Sequence, residues 1–417
     1  MKFLVRLSGF TFAIGFFVCL LPSYGQQPTT RAEEINAARR FKMAHLWPER
    51  QSPLVDSVNK LTERGLLDGF KSGMGANGWQ FLLGGMRSGQ GTAFGTGYRR
   101  TDIWQDRIGF RTTLRGTFYK AMLFDFNLDF QSLKTDRTFL NVYAKYERSP
   151  RMDFYGEGPN SSEDQHTSYS LDDTAVDVNT GYEIFQNFRS GLTGGVVDIH
   201  TGCGSISGVP CFNEVFDPEE APGLGQDTTY LRWGAFLVYD NKDYPSLPRK
   251  GGLYGARFRF YSDRQLDQFN FRQAEFELQR YIPYFNETRV IAIRLQTMLS
   301  FANSGNTVPI YFQPSLGGNE YLRSFPRYRF YDNNSIYATV EHRWYAFTGL
   351  EMAVFVEAGK VVPQKSQINF SNLEFSAGIG FRFRINNGLV SRIDFAAGEE
   401  GFRVFWTFSG VFKVRYK

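Results

Sequence analysis

From Trp79 onward the apolar residues recur with a period of two, and the positions between them carry charge from one segment to the next. The stretch YKAMLFDFNLDF puts Met122, Phe124, Phe126, Leu128 and Phe130 on one face and Asp125, Asn127 and Asp129 on the other. In LEFSAGIGFRFRI, Phe375, Ala377, Ile379, Phe381, Phe383 and Ile385 share one face, opposite Glu374, Ser376, Gly378, Gly380, Arg382 and Arg384. Alternation of this kind marks β-strands. A soluble sandwich also alternates, but its apolar face must meet a second sheet, and its polar face has no need of charge on strand after strand. Strands between lipid and a wet lumen need both faces as found here. The mature chain has no apolar run long enough for a spanning helix, yet it holds 42 Phe, 22 Tyr and 6 Trp beside 42 Gly. The expected fold is all-β, a transmembrane antiparallel β-barrel. A secreted sandwich or propeller is the alternative.

The N-terminus gives the compartment. Lys2 and Arg6 precede the short apolar run Phe10–Leu21, and Ser23 and Gly25 are small residues placed for cleavage before Gln26. Residues 1–25 therefore read as a secretory signal peptide. Cys19 lies inside it, behind bulky Val18, a poor setting for lipidation. The net charge of +5 is small for this length and gives no reason to expect nucleic acid as a partner. Cys203 and Cys211 flank the loop-like CGSISGVPC; in an oxidising compartment a local disulfide is expected, with two free thiols as the alternative. Residues 26–77 read as a helical periplasmic or plug segment, with helix formers in RAEEINAARRFKMAHLW and a second start at Ser52–Pro53.

About sixteen alternating segments follow, within the known range for such barrels, and they assign residues 78–412 to the barrel. The connections 150–166, 200–227, 303–334 and 359–371 are long, whereas 347–350 and 386–387 are short. Long loops on one side and short turns on the other is the outer-membrane pattern, with the long loops outside. In the last segment Phe402, Val404, Trp406, Phe408 and Phe412 share the lipid face, and an aromatic terminal strand of this kind is an assembly signal. Residues 413–417 form a tail beyond it.

Several stretches together resemble the BamA/TamA-type outer-membrane assembly barrels, the bacterial surface antigen family. They are LGGNEYLRSF in the sixth long loop, DNKDYPSLPRKGG (Asp240–Gly252), FYGEGPNS (Phe154–Ser161), FVEAGKV (Phe355–Val361), SAGIGFRFR and SRIDFA. The loop motif here is Arg323-Ser324-Phe325, with Ser where the family usually has Gly, and Glu357 stands where an Asp is usual. Residues 26–77 have neither the length nor the strands of the POTRA modules that usually precede such barrels. Strand parity turns Tyr337, Thr339, Glu341, Arg343, Phe355 and Glu357 toward the lumen. The resemblance implies that Arg323, with Phe325 beside it, folds back into the barrel and pairs with Glu341 and Glu357. Without the family, all three charges read as ordinary lumen charges. Arg327 and Arg329 have no family counterpart.

Enzyme chemistry finds no support. His342 points outward, but the neighbouring strand offers Leu350, Met352, Val354 and Val356 on that face and no serine partner. His45, His166 and His200 are scattered without metal-ligand spacing, so no metal and no cofactor is expected. The acidic DPEEAPG (Asp217–Gly223) reads as solvated loop charge, with weak calcium binding as its alternative. The resemblance implies work on protein clients in the outer membrane of a Gram-negative-type bacterium: insertion of β-barrel proteins or passage of a protein across. Partners would then be membrane lipid, unfolded outer-membrane proteins, or a periplasmic protein docking on residues 26–77. A passive pore and a scaffold or lipid-handling barrel are the alternatives.

Overall fold

The computed structural model describes residues 30–44, 77–131, 137–347, 349–385 and 388–408. The expected signal peptide, most of the segment 26–77, Phe412 and the tail 413–417 lie outside them. Helix α1 (Arg31–Ala44) belongs to an N-terminal unit of its own, residues 1–52. Thr30 Oγ1 accepts from Glu33 N at 3.4 Å, and Glu33 and Glu34 in the first turn and Lys42 in the last suit the helix dipole. Among the described residues no helix is long and apolar enough to cross a membrane.

Sixteen antiparallel strands make one sheet in which each pairs with the next. They are β1 (Gly78–Leu83), β2 (Phe94–Ile103), β3 (Ile108–Gly116), β4 (Met122–Gln131), β5 (Thr138–Phe154), β6 (Thr167–Phe185), β7 (Phe188–Cys203), β8 (Thr228–Asp240), β9 (Gly251–Asp263), β10 (Phe271–Tyr284), β11 (Arg289–Ala302), β14 (Asn334–Phe347), β15 (Leu350–Val362), β16 (Glu374–Ile385), β17 (Gly388–Gly398) and β18 (Gly401–Thr407). Between β11 and β14 the chain makes a separate two-stranded hairpin, β12 (Ser315–Leu316) with β13 (Phe330–Tyr331). The two ends of the sheet meet where a Cβ on Gly84, just after β1, would lie 3.3 Å from Cβ of Phe408, just after β18.

Parity holds around the sheet. Val176, Leu192, Leu231, Trp233, Val340 and Val356 are exposed on the outer face. Asp125, Glu147, Asp173, Glu277, Glu341 and Arg382 are buried on the inner one. His342 takes its place in the outer aromatic belt, with Nε2 2.5 Å from the hydroxyl of Tyr284 and its ring beside Trp344.

Several strands run further than the alternation predicts, among them β15, which reaches Val362 inside the expected connection 359–371. β5 continues to Phe154 through a register shift between Ser149 and Met152, β6 runs to Phe185 at its far end, and β7 continues to Cys203. At the long-loop ends of β5–β7 the pattern inverts. Met152, Phe154, Tyr169, Leu171 and Ile199 point inward and are buried, while Asp172, Asp198 and His200 lie outside. Beyond the lipid the outer face meets water, so the apolar side turns to the interior. Those inward residues, with Phe212, Phe216, Tyr230, Tyr261, Ile310 and Tyr331, form an aromatic cap drawn from several loops. Cys203 is disulfide-bonded to Cys211, which is itself part of the cap, Cα to Cα 5.1 Å.

Two predictions follow from this placement. Val356 is 54% exposed on the outer face and pairs with Val340, so Val356→Arg should cost about 2–4 kcal/mol of stability if it sits near the bilayer midplane. Urea unfolding in liposomes measures it; an unmoved midpoint would place the residue off the lipid face. Alkylation with intact-mass analysis of unreduced protein should show Cys203 and Cys211 protected.

Candidate functional site

The hairpin loop 303–333 descends into the barrel. Gly317 and Gly318, at φ of +111° and +96°, let it double back, and Gly318 N donates to Phe325 O at 3.2 Å. Leu322 holds φ +47°, an uncommon value for a branched side chain. Its neighbours Leu316, Tyr321, Phe325 and Phe330 pack on Tyr337 of β14 and Val361 of β15. That apolar footing delivers Arg323 to the barrel wall.

There Arg323 is 2% exposed and meets carboxylates on three strands. Its main-chain N donates to Glu357 Oε2 at 2.6 Å, Nε to Glu357 Oε1 at 3.0 Å and Nη2 to Glu341 Oε1 at 2.8 Å. Nη1 lies 3.3 Å from Asp394 Oδ1, within ion-pair reach though not aligned as a hydrogen bond. The guanidinium carbon stands 3.4 Å from the centre of the Phe355 ring. A planar fork of donors suits this arrangement as an ammonium could not. The Tyr337 hydroxyl donates to Glu357 Oε1 at 2.6 Å.

The carboxylates are shared. Arg343 Nε donates to Glu341 Oε2 at 3.0 Å, Arg382 reaches both Glu341 (3.2 Å) and Asp394 (2.6 Å), and Arg392 Nη1 lies 3.0 Å from Asp394 Oδ2. Glycines on the neighbouring strands make the room. A Cβ on Gly378 would lie 2.5 Å from the Phe355 ring, and one on Gly380 or Gly398 would overlap Arg382 or Ser324 Oγ. The serine at 324 is thus seated over Gly398, and its main-chain N donates to Ser376 Oγ at 2.9 Å.

Sequence reasoning singled out Arg323, Phe325, Glu341 and Glu357; the structure brings Arg323, Glu341 and Glu357 together and places Phe325 in the apolar footing of the loop. It missed Asp394, Arg382 and Arg392, which parity places in the lumen without saying what they touch. Arg329 also has a built environment. Its Nε lies 2.9 Å from Glu400 Oε1 and its Nη1 2.8 Å from Ser161 Oγ, so it is a second anchor of the loop. Nearer the tip, Asn319 accepts from Ser88 Oγ (2.9 Å) through its side chain and from Arg392 Nη2 (2.6 Å) through its carbonyl. It ties the loop after β1 to β17, across the junction of the sheet's two ends. Phe402 and Trp406 are exposed on the outer face of β18, as the terminal-strand reading requires, and Phe408 packs beside Trp406.

The charge network continues to the short-turn end of the barrel. The turn 241–250 folds inward, with Leu247 buried against Tyr281, Val290 and Ala292. Arg249 pairs with Glu351 and donates to Glu287 O at 2.6 Å, while Pro248 O accepts from Arg343 at 3.2 Å. Arg343 thereby contacts both this turn and the carboxylate that holds Arg323.

Residues 80–402 match the Omp85 superfamily domain. The structure resembles BamA from Haemophilus ducreyi, solved lacking POTRA domains 1–3, at 15% identity and TM-score 0.59 over 79% of this chain and 70% of that one. It also resembles CdiB from Acinetobacter baumannii (11% identity, TM-score 0.50, 80% of this chain and 60% of that one). CdiB from Escherichia coli is similar at 12% identity and TM-score 0.50, over 80% of this chain and 62% of that one. No curated protein sequence matches the chain. These likenesses concern the fold; the chain spans less than two thirds of either CdiB.

Removing one member of the buried set leaves uncompensated charge, so Arg323→Ala, Glu341→Ala and Glu357→Ala should each destabilise the seated loop by about 3–5 kcal/mol. The effects should be non-additive, because the residues act as a unit, and Arg323→Lys should rescue only in part. Limited proteolysis of the folded protein reads out loop release. Arg327→Ala is the comparison, and equal protection of the loop in Arg327→Ala and Arg323→Ala would sink the latch. Gly398→Ala should loosen the loop by displacing Ser324.

Proposed function

The chain belongs to the Omp85 superfamily, and from that premise we propose that it acts on protein clients at the outer membrane of a Gram-negative-type bacterium. Its work on this reading is to assist insertion of outer-membrane β-barrel proteins or to pass a protein across. The observation that carries the reading is the seated loop. A buried guanidinium holds it to β14, β15 and β17, and its tip bridges Ser88 and Arg392 on either side of the sheet's junction. A loop so placed controls whether the first and last strands stay together. Strand edges freed there would offer unpaired backbone donors and acceptors to an incoming strand.

A passive pore is the weaker reading. The aromatic cap gathers residues of several loops at the long-loop end, and the turn 241–250 packs inward at the other. Among the described residues the outward-pointing His342 is engaged by Tyr284 and Trp344 in the outer belt. The reading is that of a non-enzymatic barrel whose partners are lipid and unfolded protein.

Reconstitution tests this. Liposomes containing the protein should fold an added, urea-unfolded outer-membrane barrel faster than empty liposomes do, and Arg323→Ala should lose most of that gain. Folding no faster than in empty liposomes, together with a steady large conductance in planar bilayers, would favour the pore instead.

A further inference from the structure

A groove of about 350 Å3 runs along the outer wall of the barrel between β8 and β11. Ala256 of β9 forms its floor, and the sheet pairs Ala256 with Leu237 of β8 on one side and Phe276 of β10 on the other. Tyr254, Leu278 and Leu295 complete the walls. Leu237, Phe276 and Leu295 are exposed on the outer face, so the groove opens on the surface that meets lipid. It exists because one small side chain stands among large ones.

Toward the short turns the groove ends in polar groups. Arg280 follows Leu278 on the same face of β10, is exposed, and has Gly252 of β9 as its partner in the sheet. The Tyr254 side chain leans over that glycine: a Cβ on Gly252 would lie 3.2 Å from the Tyr254 hydroxyl. Lys250, also exposed, comes directly before β9. Among the described residues neither Arg280 nor Lys250 forms an ion pair. Asp243 of the same turn directs Oδ1 to the main-chain N–H groups of Tyr244, Arg249 and Lys250 instead. A guanidinium on a lipid-facing wall is costly unless it reaches water or an anion at the interface. Arg280 stands four residues before the end of β10 at Tyr284, so its long side chain extends toward the headgroups.

We propose that this groove binds an anionic glycerophospholipid of the surrounding bilayer. One acyl chain lies over Ala256, between Leu237 and Phe276. The phosphate meets the Arg280 guanidinium and the Lys250 ammonium, and the Tyr254 hydroxyl donates to one of its oxygens. A guanidinium offers phosphate two parallel N–H donors. An apolar groove alone would take any acyl chain; the two cations at its end choose among headgroups. They favour a head with net negative charge over one that carries its own ammonium.

The site lies in the middle of the sheet, between β8 and β11, away from the junction of β1 and β18. It shares no residue with the seat of Arg323. The inference rests on the barrel lying in a bilayer and not on what the barrel does for a client, so the two readings fail separately.

The test uses the full-length protein folded into phosphatidylcholine vesicles. These contain a trace of phosphatidylglycerol with a photoreactive acyl chain, or phosphatidylcholine with the same chain as the comparison. After illumination, mass spectrometry maps the labelled peptides. The phosphatidylglycerol probe should concentrate on the peptides bearing Ala256, Phe276 and Leu295, at least about fivefold above the phosphatidylcholine probe. Arg280→Gln should lower that label about fivefold, the effect of one cation at the membrane surface, and Arg280→Lys should restore part of it. Ala256→Leu fills the groove and should clear the label while both cations remain. Labels from the two probes spread alike around the barrel would overturn the proposal. So would equal labelling of wild type and Arg280→Gln. Should that variant not fold, competition in the wild type decides. Unlabelled phosphatidylglycerol should clear the groove at a lower mole fraction than an uncharged competitor such as diacylglycerol, and equal clearance would refute the site.

Discussion

A guanidinium taken out of water cannot remain unpaired, and the interior of this barrel is arranged around that constraint at Arg323. Three carboxylates on β14, β15 and β17 surround it, further arginines balance those carboxylates, and glycines on β16 and β17 leave space for the group as a whole. An exposed ion pair would contribute little. A buried set of this kind is not a net stabiliser over a well-packed apolar one, but it is costly to break in part. Its consequence is positional: the loop has one seat in which every charge is met.

The same loop takes part in two other environments with different physics. Toward the outside, its stems enter an aromatic cap through Ile310, Tyr311, Phe312 and Tyr331, where burial of apolar area provides the cohesion. At its tip, Asn319 and Arg329 use hydrogen bonds and an ion pair to hold the loops after β1 and β5 and the turn between β17 and β18. The charged seat lies between these. Through Arg343 it also touches the periplasmic turn that carries Arg249 and Leu247. A displacement of the loop would thus be felt at both ends of the barrel.

Much of this was legible beforehand. A period of two over lipid and lumen leaves little freedom in which side a residue faces, so Glu341 and Glu357 could be turned inward from β14 and β15 alone. The family motif then supplied the partner that no strand pattern could. The partnership of Asp394 in SRIDFA is not legible, because parity tells direction and not distance; Arg323 precedes it by a long stretch of chain and three barrel strands. Arg329 was set aside for lack of a family counterpart, although Glu400 and Ser161 engage it. β5 and β7 run past the alternation at their long-loop ends for another reason. Above the lipid the apolar face moves from outside to inside, and a rule tuned to the membrane reads the inversion as loop.

The sequence by itself determined the class of fold, the face of each strand and the identity of the loop arginine, because local alternation and short motifs are properties of neighbouring residues. Tertiary structure alone decided which charges share a cluster and how Ser324 fits over Gly398. Those outcomes depend on segments far apart in the chain being packed into one dry volume. There, the cost of an unmet charge is set by everything around it and not by its own neighbours in sequence.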